Sequence, residues 1–353
     1  TYTNVAADEI VNNLHCDKSR LDVSTIHSFL YNNIINPFSF LIRYNDNGEI
    51  LFDTYKMDGH QEHLYDEDKY QTWIKRIKNK YKKNYWYLYC KDDRTKKESY
   101  VKQLLTLNYK YDNNKVDLYY NVRGVEKLPK KRGELWDYKQ LYWNQGIMHH
   151  EDVLYFSYFI LFKYPSVAKF LREKYAYIYV DEFQDTSEIQ SKILDRVCNE
   201  KVVIGILGDP AQSIYKFAGA KKEELESFRK GYINEYKIGI NHRSTKCIVE
   251  LLNTMRNDII QKWDEVNGIG EKVIVLVGEV SLAKNWLKDN VKENDVYILC
   301  RENKDVFLIN NDLREEKNYL EEFTKTDSNF DRVNFIISTF TSYKYYQKGQ
   351  YKD

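Results

Sequence analysis

An apolar run that ends in two acidic residues constrains the fold of this chain most. Tyr175–Val180 reads YAYIYV, and Asp181 and Glu182 follow it directly. A second apolar run, Val202–Leu207, is followed by Gly208 and Asp209, and the helix-like sequence Glu188–Val197 lies between the two runs. Short apolar strands alternating with helices are typical of a parallel sheet, and ligands bind beyond the carboxyl ends of its strands. The sequence therefore predicts an α/β fold with a ligand site beside the acidic pair.

The residues around these strand ends favour phosphate chemistry. One carboxylate of the pair can hold Mg²⁺ through its water shell, while the other orients and deprotonates an attacking water. An acidic pair after a strand is usually a solvated helix cap, but the string DEFQDTS is far more specific than a bare pair. The second run continues as GDPAQSIYKFAGA. In it, the Gln212 amide could reach a terminal phosphate, and Tyr215 and Phe217 offer faces for base stacking, although such an aromatic pair alone is more often core.

Composition excludes several classes of protein. The chain has 353 residues, which is enough for two or three domains, and its five cysteines are far apart with no Cys-x-x-Cys pair. That pattern argues against a zinc finger or a disulfide framework and fits a reducing cytoplasm. No segment approaches the roughly 20 apolar residues of a membrane span, so we expect no membrane partner. The pairs His60/His63 and His149-His150 lack the further ligands that a zinc site needs.

The net charge of +1 is the sum of a basic region and an acidic remainder. Residues 31–150 contain 22 Lys and Arg against 16 Asp and Glu. Within them, residues 75–102 carry 11 basic and three acidic side chains, interleaved with six Tyr and Trp. A basic surface with aromatic side chains suits single-stranded nucleic acid. A solvated helix face in a protein from an AT-rich genome is the alternative interpretation.

Several segments resemble, in order, the motifs of superfamily 1A DNA helicases of the UvrD/Rep/PcrA group. VDEFQDTS and GDPAQSIYKFAGA are similar to motifs II and III, TYTNVAADEI to motif Ia, STIHSF to motif Ib, and INHRST to motif IV. HHEDVL resembles the acidic segment that re-enters the first motor domain, and VYILCREN resembles the strand that opens domain 2A. The resemblance implies a RecA-like P-loop NTPase motor domain with a mainly helical inserted 1B domain and part of a second RecA-like domain. It places domain 1A at residues 1–30 and 146–245, the basic 1B domain at 31–145, and partial domain 2A at 246–353.

The resemblance also assigns roles to matching residues. Asp181 would ligate Mg²⁺, and Glu182 would be the general base for the attacking water. Gln212 would contact the γ-phosphate of ATP, and Arg243 would stabilise charge on the transferred phosphoryl group. The residues that would contact single-stranded DNA are Tyr2, Asn4, Thr25, His27, Tyr215 and Phe217. Without the family context, Arg243 could pair with any nearby carboxylate, and His27 could be an ordinary core histidine.

Departures from the family pattern leave two functions open. The phosphate loop GxxxxGK[ST] is absent, and we expect it in a missing segment before Thr1. His242 replaces a tyrosine that commonly stacks on adenine in the family, and Ala218 replaces an arginine. We therefore expect either an ATP-dependent DNA helicase or translocase, acting on single-stranded DNA or DNA ends, or a catalytically weak DNA-sensing subunit.

A short segment supports the second possibility. His27–Phe38 is similar to the stretch after motif Ib in the helicase-like subunit of Gabija anti-phage defence systems. That resemblance implies a partner with ATPase and nuclease activity and a role in antiviral defence. Outside these motifs, the strand-like runs are Tyr236–Ile240, Lys272–Val277 and Asp295–Cys300, and Leu251–Trp263 is helix-like.

Overall fold

A computed structural model describes residues 1, 3–14, 17–81, 101, 104–112, 115–122, 125–127, 132–198, 201–213, 234–256, 258–278, 283, 285–286, 289–290 and 299–300. The chain divides into two compact units, Thr1–Glu235 and Tyr236–Asp353. The domain boundaries expected at residues 30, 145 and 245 stay predictions.

The first unit combines helices with two small sheets. Its helices are α1 (Asn4–Asn13), α2 (Ile26–Leu30), α3 (Glu67–Tyr81), α4 (Arg132–Trp143), α5 (His150–Lys163), α6 (Pro165–Lys174) and α7 (Glu188–Val197). Its strands are β1 (Leu107–Asp112), β2 (Lys115–Val122), β3 (Val125–Lys127), β4 (Tyr177–Val180) and β5 (Val203–Ile206). A π-helical turn, Tyr31–Ile35, continues α2 directly.

The parallel pair β4–β5 confirms the two strands predicted from the apolar runs. The strands pair in register from Tyr177 opposite Val203 to Val180 opposite Ile206. Helix α7, which connects them, has the predicted bounds and begins at a capping box, in which the Ser187 amide donates to Gln190 Oε1 at 2.8 Å. The connection is therefore a strand–helix–strand unit whose strand ends lie side by side.

The region expected to be a mainly helical insert also contains a sheet. Strands β1, β2 and β3 form an antiparallel sheet, with Leu107 opposite Tyr120 and Asp112 opposite Lys115. Leu107 and Tyr109 are buried and alternate with less buried neighbours, which is the two-residue period of a half-buried strand. The sequence LNYKYD carries this alternation, with Asn108 and Lys110 at the less buried positions, but it is not the continuous apolar run from which the other strands were predicted.

One hydrophobic core connects this region with the strand–helix–strand unit. Its buried members include Trp73 of α3, Leu118 of β2, Phe156 of α5 and Ile193 of α7. The Trp73 indole N–H donates to the Glu134 carbonyl at 2.7 Å, so the large ring is buried without an unsatisfied donor. Many of the aromatic residues thus serve packing within the first unit.

The second unit contains α8 (Lys246–Met255) and a short parallel pair, β6 (Ile240–Asn241) and β7 (Lys262–Trp263). The predicted strand Tyr236–Ile240 is wrong except at its last residue. The predicted helix Leu251–Trp263 is wrong in its bounds, because the backbone turns extended at Arg256 and Lys262–Trp263 pairs as a strand.

The predicted strand Lys272–Val277 is also wrong, since this described segment forms no regular structure and several of its apolar side chains are exposed. Of the run at 295–300, only residues 299–300 are described, and they form no strand.

Candidate functional site

Asp181 and Glu182 lie where the sequence predicts, at the carboxyl end of β4. The Leu207 amide donates to the Val180 carbonyl, and the Phe183 amide donates to the Leu207 carbonyl, both at 2.9 Å. These bonds extend the pairing past both strands and hold the acidic residues next to the segment after β5. Both carboxylates are half-buried.

The backbone at Glu182 has an uncommon conformation. Its φ of 53° and ψ of 40° lie in the left-handed region, and it is the one non-glycine residue with positive φ among those the structure describes. A glutamate there is strained by an amount of order 1–3 kcal/mol, and such strain clusters at functional sites. The turn leads into a short 3-10 helix, Phe183–Asp185, which is buried.

The loop after β5 is organised by Asp209. Its carboxylate accepts from the Ala211 amide at 3.0 Å, and the Gln212 side-chain amide donates to the same carboxylate at 2.7 Å. Gln212 is exposed, so its amide is accessible once it leaves Asp209. The structure thus brings Gln212 onto the loop beside the acidic pair.

Gln184, which was not among the predicted site residues, joins these two segments. Its side chain is 1% exposed. Its amide nitrogen donates to Glu182 Oε2, and its amide oxygen accepts from the Asp209 backbone N–H at 2.9 Å. The Ser213 hydroxyl also donates to the Gln184 carbonyl, at 3.3 Å. The available signal was its position inside DEFQD, since a glutamine next to a reactive carboxylate is a natural hydrogen-bond partner.

The segments similar to motifs Ia and Ib lie side by side. The Ile26 amide donates to the Thr1 carbonyl at 3.2 Å, which joins the start of the chain to α2. Thr25 is the N-cap of α2, and its hydroxyl accepts from the Ser28 amide at 3.2 Å. Asn4, the first residue of α1, is exposed and available to a ligand.

His27 is surrounded by other histidines rather than facing open solvent. Its ring lies 6.2 Å from that of His150, which shares a 2.6 Å hydrogen bond with His60. Burial lowers the pKa of His27 to about 4, with smaller contributions from His150 and His60. Its Nε2 atom is buried and has no hydrogen-bond partner in the described part of the chain. At neutral pH His27 is therefore neutral, and its contact with DNA stays a prediction.

The segment HHEDVL contains a buried ion pair at the start of α5. Asp152 is fully buried and lies 2.6 Å from the ammonium of Lys139, which is also buried. Asp152 also accepts hydrogen bonds, from the Tyr109 hydroxyl at 2.6 Å, the Trp143 indole at 3.1 Å and the His149 amide at 2.9 Å. Burial raises the pKa of Asp152, but Lys139, His149 and these bonds outweigh burial and hold it below its usual range. Asp152 therefore anchors the fold from inside the core.

Within the second unit, Arg243 is exposed at the end of β6. The Asn241 side-chain oxygen accepts from the amides of Arg243 and Ser244, at 3.0 and 2.8 Å, and fixes the turn. His242 contacts the Asp264 carboxylate at 2.6 Å, and this hydrogen bond lowers the pKa of Asp264. The turn directs the Arg243 side chain to the surface, where an anion can reach it.

Three of the predicted DNA contacts, Tyr2, Tyr215 and Phe217, lie outside the described residues. The same holds for most of the basic window at 75–102, of which residues 82–100 and 102 are not described. Their roles stay predictions.

The donor set at the strand ends suits magnesium bound together with phosphate. In the described ranges, no group of three or more His, Cys, Asp or Glu side chains could hold a metal by itself. Mg²⁺ usually takes one or two carboxylates and completes its shell with waters and substrate phosphates. Asp181 offers one such carboxylate at the place where a phosphate ligand would approach.

No described helix is long and apolar enough to cross a membrane.

The fold and the site define an α/β protein whose candidate site lies at the carboxyl ends of parallel strands. Residues 1–233, about two thirds of the chain, match the UvrD/REP helicase N-terminal domain. The chain therefore belongs to this family of helicases, and membership implies a RecA-like α/β fold.

Individual relatives agree with the family. A probable DNA helicase II homolog from Mycoplasma capricolum is 30% identical over 168 residues, 43% of this chain and 23% of the relative. The Gabija protein GajB from Bacillus cereus is 27% identical over 243 residues, 62% of this chain and 34% of the relative. The ATP-dependent DNA helicase PcrA from Bacillus subtilis is 32% identical over 148 residues, 40% of this chain and 20% of the relative. The chain thus spans between a fifth and about a third of these relatives.

Proposed function

We propose that the protein is an ATP-dependent DNA helicase or translocase that acts on single-stranded DNA or DNA ends. The observation that carries the proposal is the geometry at the strand ends: Asp181 and Glu182 follow β4, and Gln184 ties them to the loop that bears Gln212. Family membership supports the same activity. We further propose that residues 1–30 and 146–245 form domain 1A, 31–145 domain 1B and 246–353 part of domain 2A.

Each residue of the site has a distinct task in this proposal. Asp181 would hold Mg²⁺, which would neutralise charge on the phosphates of bound ATP. Glu182 accepts a proton from the attacking water, which its partly buried carboxylate can orient. Gln212 leaves the Asp209 carboxylate and turns its amide to the terminal phosphate. Arg243, which belongs to the second unit, keeps the role that the family resemblance implies, stabilising negative charge on the transferred group.

The DNA track is proposed to follow the motif Ia and Ib segments. Asn4 at the exposed start of α1 and Thr25 at the N-terminus of α2 offer polar side chains next to backbone N–H groups, which suit phosphates. His27 adds a neutral ring beside them. Tyr2, Tyr215 and Phe217 are proposed to stack on bases.

The decisive experiment measures ATP hydrolysis by the full-length protein with and without single-stranded DNA. Glu182→Gln keeps the shape of the side chain but cannot accept the proton, so DNA-stimulated turnover should fall about 10²–10³-fold. Glu173→Gln is the matched control, because Glu173 is exposed and pairs with exposed Lys201 at 3.2 Å. Wild-type turnover in Glu182→Gln would contradict the proposal.

A second candidate is a catalytically weak DNA-sensing subunit of a nuclease complex in anti-phage defence. It is favoured by the match to the Gabija protein GajB over 62% of this chain. Expression together with the neighbouring genes should then yield a stable complex with a nuclease. Protection against phage should survive Glu182→Gln if hydrolysis is dispensable, and should be lost if the protein acts as a motor.

A further inference from the structure

The side-chain amide of Gln184 has two different partners, one on each side of the candidate site. Its nitrogen donates to the Glu182 carboxylate, and its oxygen accepts from the Asp209 backbone N–H at 2.9 Å. A carboxamide offers a donor and an acceptor on the same carbon without carrying a charge. The amide orientation is therefore fixed, because the flipped amide would place its NH₂ group against an N–H and its oxygen against a carboxylate.

The surroundings hold this amide in one position. Gln184 is 1% exposed, and its backbone lies in the buried turn Phe183–Asp185. A Cβ atom at Gly208 would lie 2.8 Å from the amide oxygen, so the loop after β5 is packed directly against it. A buried polar group that is hydrogen-bonded on both its nitrogen and its oxygen favours a single local geometry.

Hydrogen bonds continue from Gln184 in both directions. On one side is Glu182, whose backbone is left-handed and whose Oε2 accepts the Gln184 amide. On the other side is Asp209, whose carboxylate accepts from the Gln212 amide at 2.7 Å. The described residues thus form a connected series, Glu182–Gln184–Asp209–Gln212.

We propose that Gln184 is a positioning residue that orients the Glu182 carboxylate and couples it to the loop bearing Gln212. This inference rests on the proposed function. One Glu182 oxygen is held by the Gln184 amide, which leaves the other oxygen to face the attacking water. When Gln212 leaves Asp209 for a phosphate, the loop can shift only together with Gln184 and therefore with Glu182. The site thereby adjusts its base when its phosphate contact forms.

Two substitutions separate the two bonds. Gln184→Glu keeps the acceptor for the Asp209 N–H but replaces the donor to Glu182 with a like charge. Gln184→Met removes both bonds at nearly constant volume. The matched control is Gln190→Met, since Gln190 is also buried and accepts from a backbone amide, but it caps α7 away from the site.

The first measurement is ATP turnover by the full-length protein with single-stranded DNA. We expect kcat to fall at least tenfold in both Gln184 variants, with KM for ATP changed less than threefold and Gln190→Met near wild type. Combining Gln184→Met with Gln212→Ala should cost less than the product of the two single effects, because the residues act as one unit. Wild-type kcat in Gln184→Glu, or fully multiplicative effects in the double variant, would overturn the coupling.

The second measurement needs no nucleotide. In hydrogen–deuterium exchange of the free protein, peptides that contain Asp209 should exchange about tenfold faster in Gln184→Met and at the wild-type rate in Gln184→Glu. Equal rates in Gln184→Met and wild type would refute the bond even if the protein hydrolyses no ATP. Loss of turnover in Glu182→Gln with full turnover in Gln184→Glu would refute this inference alone, whereas an inactive wild-type protein would refute the proposed function.

Discussion

Breaking the buried pair of Lys139 and Asp152 should destabilise the first unit strongly. The two charges lie 2.6 Å apart and are 1% and 0% exposed. At an effective dielectric constant of about 20, their attraction is about 6 kcal/mol, and desolvation of both ions offsets most of it. Removing one partner leaves the other charge buried and unpaired, which typically costs about 3–5 kcal/mol. Asp152→Asn should therefore lower the unfolding free energy by about that amount.

Replacing Lys139 instead of Asp152 should lower the unfolding free energy by a smaller amount. In Lys139→Met, Asp152 keeps its three other donors, from Tyr109, Trp143 and the backbone amide of His149. The double variant should recover at least about 2 kcal/mol relative to the sum of the singles, because neither charge is then left alone.

Urea unfolding followed by circular dichroism measures these differences, and melting should shift by about 2–4 °C per kcal/mol for a unit of this size. Glu173→Gln, at an exposed pair, should change stability by under about 1 kcal/mol. An Asp152→Asn protein as stable as wild type, or additive effects in the double variant, would refute this account of the core.

Three further predictions concern pH, packing and capping. Because the pKa of His27 is lowered from 6.5 to about 4, the folded state binds fewer protons than the unfolded state between these values, and stability falls as pH falls through this window. His27→Gln should therefore reduce the loss of unfolding free energy between pH 7 and pH 5 by about 2 kcal/mol, and an unchanged loss would contradict the lowered pKa. Gly208→Ala places a Cβ 2.8 Å from the Gln184 amide oxygen and should reduce ATP turnover about tenfold. Gly239→Ala, whose Cβ meets nothing within 4 Å among the described residues, should not reduce turnover; equal turnover in the two variants would argue against the packing. Thr25→Ala removes the N-cap of α2 and should lower the unfolding free energy by about 1 kcal/mol, whereas Thr25→Ser keeps the capping hydroxyl and should preserve stability. Denaturant titration measures both variants, and equal losses of unfolding free energy in the two would show that the cap does not contribute.

The sequence predicted the strand–helix–strand unit correctly because its signals are local and strong. The apolar runs before Asp181 and Gly208 have no competing pattern, and the capping box at Ser187 fixes the start of α7. The run at Lys272–Val277 looked equally apolar but forms no strand in the structure. A strand needs a partner to satisfy its backbone, and an apolar run alone does not supply one.

Only part of the candidate site could be predicted from the sequence. The carboxylates at the end of β4 follow from the strand prediction, since the chain direction of a parallel strand decides which edge they occupy. The role of Gln184 depends on a contact with Asp209, 25 residues further along, which periodicity and spacing do not encode. His27 shows the same limit, because its ring lies 6.2 Å from that of His150, which is distant in sequence.

Several aromatic residues of the basic region, residues 31–145, are buried in the structure. Tyr109 of β1 and Trp143 of α4 both donate to Asp152 of α5, and their rings belong to the core that Phe156 and Ile193 also share. The carboxylate of Asp152 is therefore satisfied only when residues from both sides of position 145 are folded together. A protein lacking residues 31–145 would bury this charge without its partners, so the region is a structural part of the first unit. These buried rings are therefore not free to stack on bases.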